Sequence, residues 1–291
     1  MPSTTAKRAL AYLGAFLLMV LDVPRYAIAS ESCTDLPHDC VAPGKWNFSL
    51  SLGAGLRINP IDDGKNIPLV VIPQFSYYGK RFFIDNLDAG LTLFENDTNT
   101  LNLVASPSYD RVYFVRSDLQ NFFVPNGANA AAIAHNPRDT LQRGFTSGST
   151  SLPLPRPRIS YLAGPEWSFN IANLTGQLDL LHELTSNFHG DEVRAALQIP
   201  LLKSPYNLNA GIGATWKSAA LVNYYYGAGS LYRPGAALNP FVKIAYQRPL
   251  SGKWSFTAFV HYEYLGAAIA KSPYIARPQV VTFFAGFVYD H

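Results

Sequence analysis

Residues 253–267, KWSFTAFVHYEYLGA, alternate with a period of two. The even positions Trp254, Phe256, Ala258, Val260, Tyr262 and Tyr264 are apolar or aromatic, while the odd positions Ser255, Thr257, Phe259, His261, Glu263 and Leu265 mix polar with bulky groups. A period of two places successive side chains on opposite faces of a strand. The ten steps from Trp254 to Tyr264 span about 33 Å at roughly 3.3 Å each. A tilt of about 40° reduces this to about 25 Å, the height of the apolar band on a membrane barrel. Trp and Tyr favour the interface, where the ring sits in lipid and the polar tip meets water. The stretch fits a transmembrane strand with Trp254, Tyr262 and Tyr264 in a lipid-facing aromatic girdle and with His261 and Glu263 turned inward. A strand of a soluble sandwich has the same period.

The alternation recurs along the chain. Trp46, Phe48, Leu50, Leu52, Ala54 and Leu56 form the first stripe, and further strands are expected at 67–78, 81–85, 88–94, 100–115, 156–169, 173–184, 191–201, 207–217, 238–249, 253–267 and 278–290. The count is twelve when 81–94 breaks near Asn86. Residues 116–155 and 218–237 keep no sustained alternation and read as long loops. Barrels of this kind alternate short periplasmic turns with long outer loops. If the last strand ends in the periplasm, both long loops fall outside, and short turns near Gly79, Asn96, Ala172, Ser204 and Ser251 fall inside. The expected fold is an all-β antiparallel transmembrane barrel of the outer membrane with about twelve strands.

Composition agrees with a lipid-facing surface. The chain of 291 residues is 48% hydrophobic and only 15% charged, with 17 Tyr and 18 Phe, where a soluble domain usually carries about a quarter charged residues. Lys7 and Arg8, the apolar run 9–21 and the small-x-small triplet Ala27-Ile28-Ala29 compose a secretory signal peptide over 1–29; a membrane anchor is the alternative, but the run is short for a span. Without residues 1–29 the net charge falls from +3 to +1, and no nucleic-acid partner is expected. Segment 30–44 would then lie in the periplasm. Its Cys33 and Cys40 suit a small disulfide loop in an oxidising compartment, with a metal site beside His38 and Asp39 as the alternative.

Candidate chemistry is sparse. HELTSNFHGDE, residues 182–192, gathers His182, Glu183, Ser186, His189, Asp191 and Glu192. A Ser-His-acid triad would need those groups in mutual hydrogen-bond reach, and no Gly-x-Ser-x-Gly elbow accompanies them. His261 and Glu263, two apart on one face, could be lumen polar contacts or a metal pair. No phosphate-cradling Gly motif stands at a strand-to-helix step. No catalytic, cofactor-binding or metal residue and no cofactor is assigned.

LGAGLRINP (52–60), IPLVVIPQFSYYGKRFFI (67–84), FHGDEVRAALQIPL (188–201), WKSAALVNYYYG (216–227) and FFAGFVYDH (283–291) stand in an order that resembles the MipA/OmpV family of outer-membrane proteins over roughly 46–291. The resemblance implies an outer-membrane barrel embedded in lipid. It also implies a scaffolding role linking a lytic transglycosylase with a peptidoglycan synthase, a penicillin-binding protein. A small-solute pore is the alternative class, and an enzyme barrel a distant third. Any periplasmic partner must use the short turns and segment 30–44. If the parity holds, protease added to intact cells clips 116–155 or 218–237; cleavage confined to cells with an opened outer membrane would reverse the topology.

Overall fold

The computed structural model describes residues 44–115, 154–203 and 205–290. The expected signal peptide, Cys33 and Cys40, most of segment 30–44 and most of the 116–155 loop lie outside the described residues. Twelve antiparallel strands follow one another: β1 (Trp46–Arg57), β2 (Ile67–Tyr78), β3 (Phe82–Asp85), β4 (Asp88–Glu95), β5 (Asn99–Pro107), β6 (Tyr161–Ile171), β7 (Leu174–Glu183), β8 (Asp191–Leu202), β9 (Asn207–Lys217), β10 (Ala237–Pro249), β11 (Trp254–Tyr264) and β12 (Gln279–Asp290). Each pairs with its sequence neighbours, and β1 pairs with β12, so the sheet closes into a barrel.

The period-two pattern explains which way the side chains go. Along β11 Trp254, Val260, Tyr262 and Tyr264 are exposed outside, while Ser255, His261 and Glu263 are buried inside. The same outer face carries Trp46, Phe48, Leu52, Val70, Leu93, Ile212, Ile244 and Phe287, all exposed. An apolar surface encircling a soluble domain would drive association, whereas hydrocarbon is the solvent that suits it. Rings crowd the edge near the termini, where Trp254 lies 5.1 Å from Tyr289 and Trp46 lies 5.2 Å from Tyr77 between centroids.

Connections at the end that holds Trp46 and Asp290 are short, namely 79–81, 96–98, 172–173, 203–206 and 250–253. The opposite end carries the two-residue 86–87 and the longer 58–66, 108–160, 184–190, 218–236 and 265–278. The break near Asn86 is present: Asn86 sits at φ 54°, exchanges backbone and side-chain hydrogen bonds with Phe75 (2.8 and 3.0 Å) and ends the short β3. Among the described residues β2 therefore pairs with β3 only at Ser76–Tyr78.

Three strand expectations need correction. The strand expected at 100–115 stops at Pro107, and the chain turns inward into α1 (Arg111–Phe114). The alternation of "RVYFV" (111–115) imitates a strand, yet Asp110 is drawn into the lumen by buried partners on other elements. Residues 219–226 of the supposed loop form α2 (Ala219–Tyr226), capped by Ser218, whose Oγ accepts from the Leu221 N–H. The strand expected from 156 begins at Tyr161, and that expected to reach 267 ends at Tyr264, before the short α3 (Ala267–Ala270).

One contact fixes the β6–β7 wall. A Cβ at Gly164 would lie 1.9 Å from the Leu180 carbonyl oxygen, a backbone atom that cannot swing aside. The ladder is irregular there, stepping from Ala163↔His182 to Glu166↔Asp179. Gly164→Ala is expected to destabilise the barrel by about 1–3 kcal/mol, the usual cost of overpacking. The check is a lower urea midpoint in the loss of the fast-migrating folded band on unheated gels; an unchanged midpoint would show that the wall relaxes freely.

Candidate functional site

The lumen changes character along its axis. Toward the termini end the inward side chains Ser49, Gln74, Gln247 and Thr257 are half-buried. Toward the far end the lumen is filled. Helices α1, α2 and α3 enter from three separate connections, and Val112, Leu221, Val222, Tyr225, Tyr226 and Ile269 are at most 1% exposed. They pack with Leu162, Leu265 and Val280 of the wall and its edge into one apolar cluster. Tyr226 and Phe114 rings stand 5.5 Å apart, and Phe188 braces Tyr224 at 5.0 Å. The result is a cup, plugged at the end that carries the long connections.

Buried charges tie the plug to the wall. Lys217, at the end of β9, donates to both Asp110 oxygens at 2.7 and 2.6 Å, and the Tyr226 hydroxyl donates to Asp110 at 2.5 Å. All three residues are buried. Burial, and then the neighbouring Asp110 carboxylate, push the Tyr226 phenol well above its ordinary pKa, so it remains a donor at neutral pH. Arg194 Nε donates to Glu192 at 2.6 Å and Arg194 Nη1 to Ser106 at 3.2 Å, with the guanidinium 5.6 Å from the Tyr109 ring centroid. Glu263 accepts from Asn239 at 2.9 Å and from the Tyr113 hydroxyl at 3.5 Å. Arg57 donates to Thr282 at 3.2 Å and lies over the Tyr113 ring. On the opposite arc Gln177 bridges Glu166 and Asp179 at 3.1 and 3.0 Å, and Asn102 donates to Glu166 at 2.8 Å.

The residues singled out from sequence fall into separate places. His261 and Glu263 both face the lumen and are buried, but Glu263 is engaged by Asn239 and Tyr113. The 182–192 cluster divides three ways. His182 Nδ1 and Asp191 pair at 2.7 Å on the exposed rim. Glu183 accepts from the Thr185 hydroxyl and from the backbone N–H groups of Asn187 and His189, holding the β7–β8 connection. Glu192 turns inward to Arg194. Ser186, at φ 58°, has no hydrogen bond to either histidine, so no triad is assembled. Among the described residues no group of three or more His, Cys, Asp or Glu is arranged to hold a metal ion. Trp254, Tyr262 and Tyr264 lie on the outer face. A separate groove of about 500 Å³ opens on the termini rim between Thr98, Asn99, Trp167, Phe169 and Asn170–Ala172.

A family model described as MltA-interacting protein MipA matches residues 50–291. The chain is 20% identical over 258 residues to the MltA-interacting protein of Escherichia coli (strain K12), covering 86% of this chain and 92% of that one, and equally similar to its counterpart in Shigella flexneri. Among solved structures, an outer membrane channel from Pseudomonas putida F1 aligns over 88% of this chain and 99% of its own, at 9% identity and TM-score 0.38. A loop-deleted OmpT, an outer membrane protein of Vibrio cholerae, aligns over 86% and 100% at 10% identity and TM-score 0.34.

The Asp110–Lys217 pair gives the plug a measurable signature. Asp110→Asn strands a buried ammonium and is expected to cost about 3–5 kcal/mol in urea unfolding. Asp110→Asn combined with Lys217→Met removes both charges and is expected to recover most of that loss; failure to recover would mean that the pair contributes through geometry alone.

Proposed function

The chain belongs to the MltA-interacting protein MipA family, and from that premise we propose that it is a non-conducting barrel that docks a periplasmic lytic transglycosylase at the membrane. It is an outer-membrane β-barrel of the Gram-negative envelope, with a closed sheet and an apolar exterior. The observation that carries the non-conducting part is the plug: Leu221, Val222, Tyr225 and Tyr226 fill the lumen with no exposed surface, and Lys217, Asp110 and Tyr226 fasten it. A pore would require this packed and ion-paired unit to leave.

The docking part draws support from the names of the relatives, both MltA-interacting proteins. A partner in the periplasm would meet the termini rim, whose turns are two to four residues long. Turns of that size fall short of the roughly 800 Å² per partner of a standard interface. The rim groove beside Trp167 and Ile171, with Ile171 63% exposed, and segment 30–44 are the additions we assign to the contact, with Cys33 and Cys40 joined in a loop. Linking that transglycosylase to a penicillin-binding protein would extend the same scaffold. Trp254 would seat the barrel at the periplasmic interface, and Tyr262 and Tyr264 at the outer one.

Purified protein in a planar bilayer is expected to give no steady conductance, while immobilised protein captures a purified lytic transglycosylase. Deleting 30–43 behind an intact signal peptide should leave the folded gel band and weaken capture. Steady channels without capture would replace docking by the pore reading.

A further inference from the structure

The floor of the cup, just beneath the plug, carries an unusual row of side chains. Lys243 of β10 stands opposite His261 of β11, His261 opposite Thr282 of β12, and Thr282 opposite Arg57 of β1. The row crosses four adjacent strands on the lumen face and contains three nitrogen bases and no carboxylate. Arg57 and Thr282 are fully buried and joined by their hydrogen bond. Lys243 is half-buried, and an inward side chain on this wall has only the lumen to be exposed to.

Among the described residues Lys243 has no hydrogen bond or ion pair; its ammonium lies 5.9 Å from the Phe259 ring centroid. His261 is 4% exposed, and its Nδ1 meets no hydrogen-bonding partner among the described residues. The nearest acid along β11, Glu263, is already held by Asn239 and Tyr113. Glu166 and Asp179 belong to β6 and β7, across the ring, and are bridged by Gln177. A half-buried ammonium without a counter-charge among the described residues and a buried ring nitrogen without a partner there are each unfavourable, and one anion relieves both. Phe259 and Phe284, with centroids 6.1 Å apart, supply an apolar wall beside them.

We propose that the floor of the cup is a binding site for a small anion entering from the termini end, its carboxylate or phosphate group held by Lys243 with His261 as hydrogen-bonding partner and its body resting on Phe259. The site does not depend on the docking role. It lies inside the lumen, whereas docking would use the rim.

The test is titration calorimetry on the full folded protein in a non-ionic detergent, with benzoate and inorganic phosphate as separate probes. Saturable binding of at least one is expected. Lys243→Met should weaken it by at least about tenfold, the scale of a charge-assisted contact, and Lys203→Met, at an exposed turn, should leave it unchanged. Preference for benzoate assigns the site to an organic carboxylate, and preference for phosphate to a phosphoryl group. If Lys243→Met loses the folded gel band, Lys243→Gln and His261→Gln serve in its place. Absence of saturable binding for both probes overturns the proposal, as does binding that survives loss of Lys243 or falls equally with Lys203.

Discussion

A sheet surrounded by hydrocarbon has no water to satisfy its backbone, so its first and last strands must pair. In this chain the requirement is met between β1 and β12, where Gly53 faces Gly286. The two backbones approach so closely that a Cβ on Gly53 would lie 2.6 Å from the Gly286 Cα, and one on either glycine would lie 2.7 Å from the Phe284 ring. The ring of Phe284 occupies the space that two missing side chains leave. With the seam closed, the remaining assignments follow: alternate residues turn to lipid, the others share an interior of fixed circumference, and long connections have room only at the rims or inside.

That interior is polar by origin and apolar by filling. Alternation delivers Arg57, Lys217, Glu192, Arg194 and Glu263 to the lumen, where single charges would be expensive. The plug brings the partners. Asp110 arrives on the segment entering α1 to meet Lys217, Tyr113 reaches Glu263, and Tyr226 completes Asp110. Its apolar side chains then exclude water from the upper lumen, which strengthens each of these pairs by lowering the local dielectric. Lys243 sits where that filling stops.

The strands were legible in the sequence because lipid imposes a strict two-residue period, and Trp254–Tyr264 shows it without interruption. Even the break at Asn86 was visible as a polar turn inside an apolar run. The plug was not. Helix α1 has four residues, too few for a 3.6-residue period to declare itself, and its Val112-Tyr113-Phe114 reads as strand. Helix α2, ALVNYYY after Ala219, is buried on several sides, so no polar stripe marks it, and three tyrosines before a glycine look like surface loop. The partners of Asp110 lie 107 and 116 residues away, a distance no local pattern spans. The 182–192 cluster shows the converse: adjacent in sequence, its acids divide between the rim, the connection and the lumen, in keeping with the absence of any catalytic assignment. Lys243 became noticeable only once the register set it beside His261.

The helices that close the cup come from three different connections, and the bonds that hold the interior join residues 107, 150 and 225 positions apart. Local pairs such as Arg194 with Glu192 lie beside them, but the ties of Asp110 and Tyr113 to the wall join distant stretches of the chain. Pairings so distant carry a large loop entropy, and the seam, which sets Gly53 against Gly286, spans more of the chain than any of them. Asp110 and Lys217 meet away from water only when the strands and connections that carry them are in place, so a dry centre is a property of the closed barrel as a whole and of no part of it.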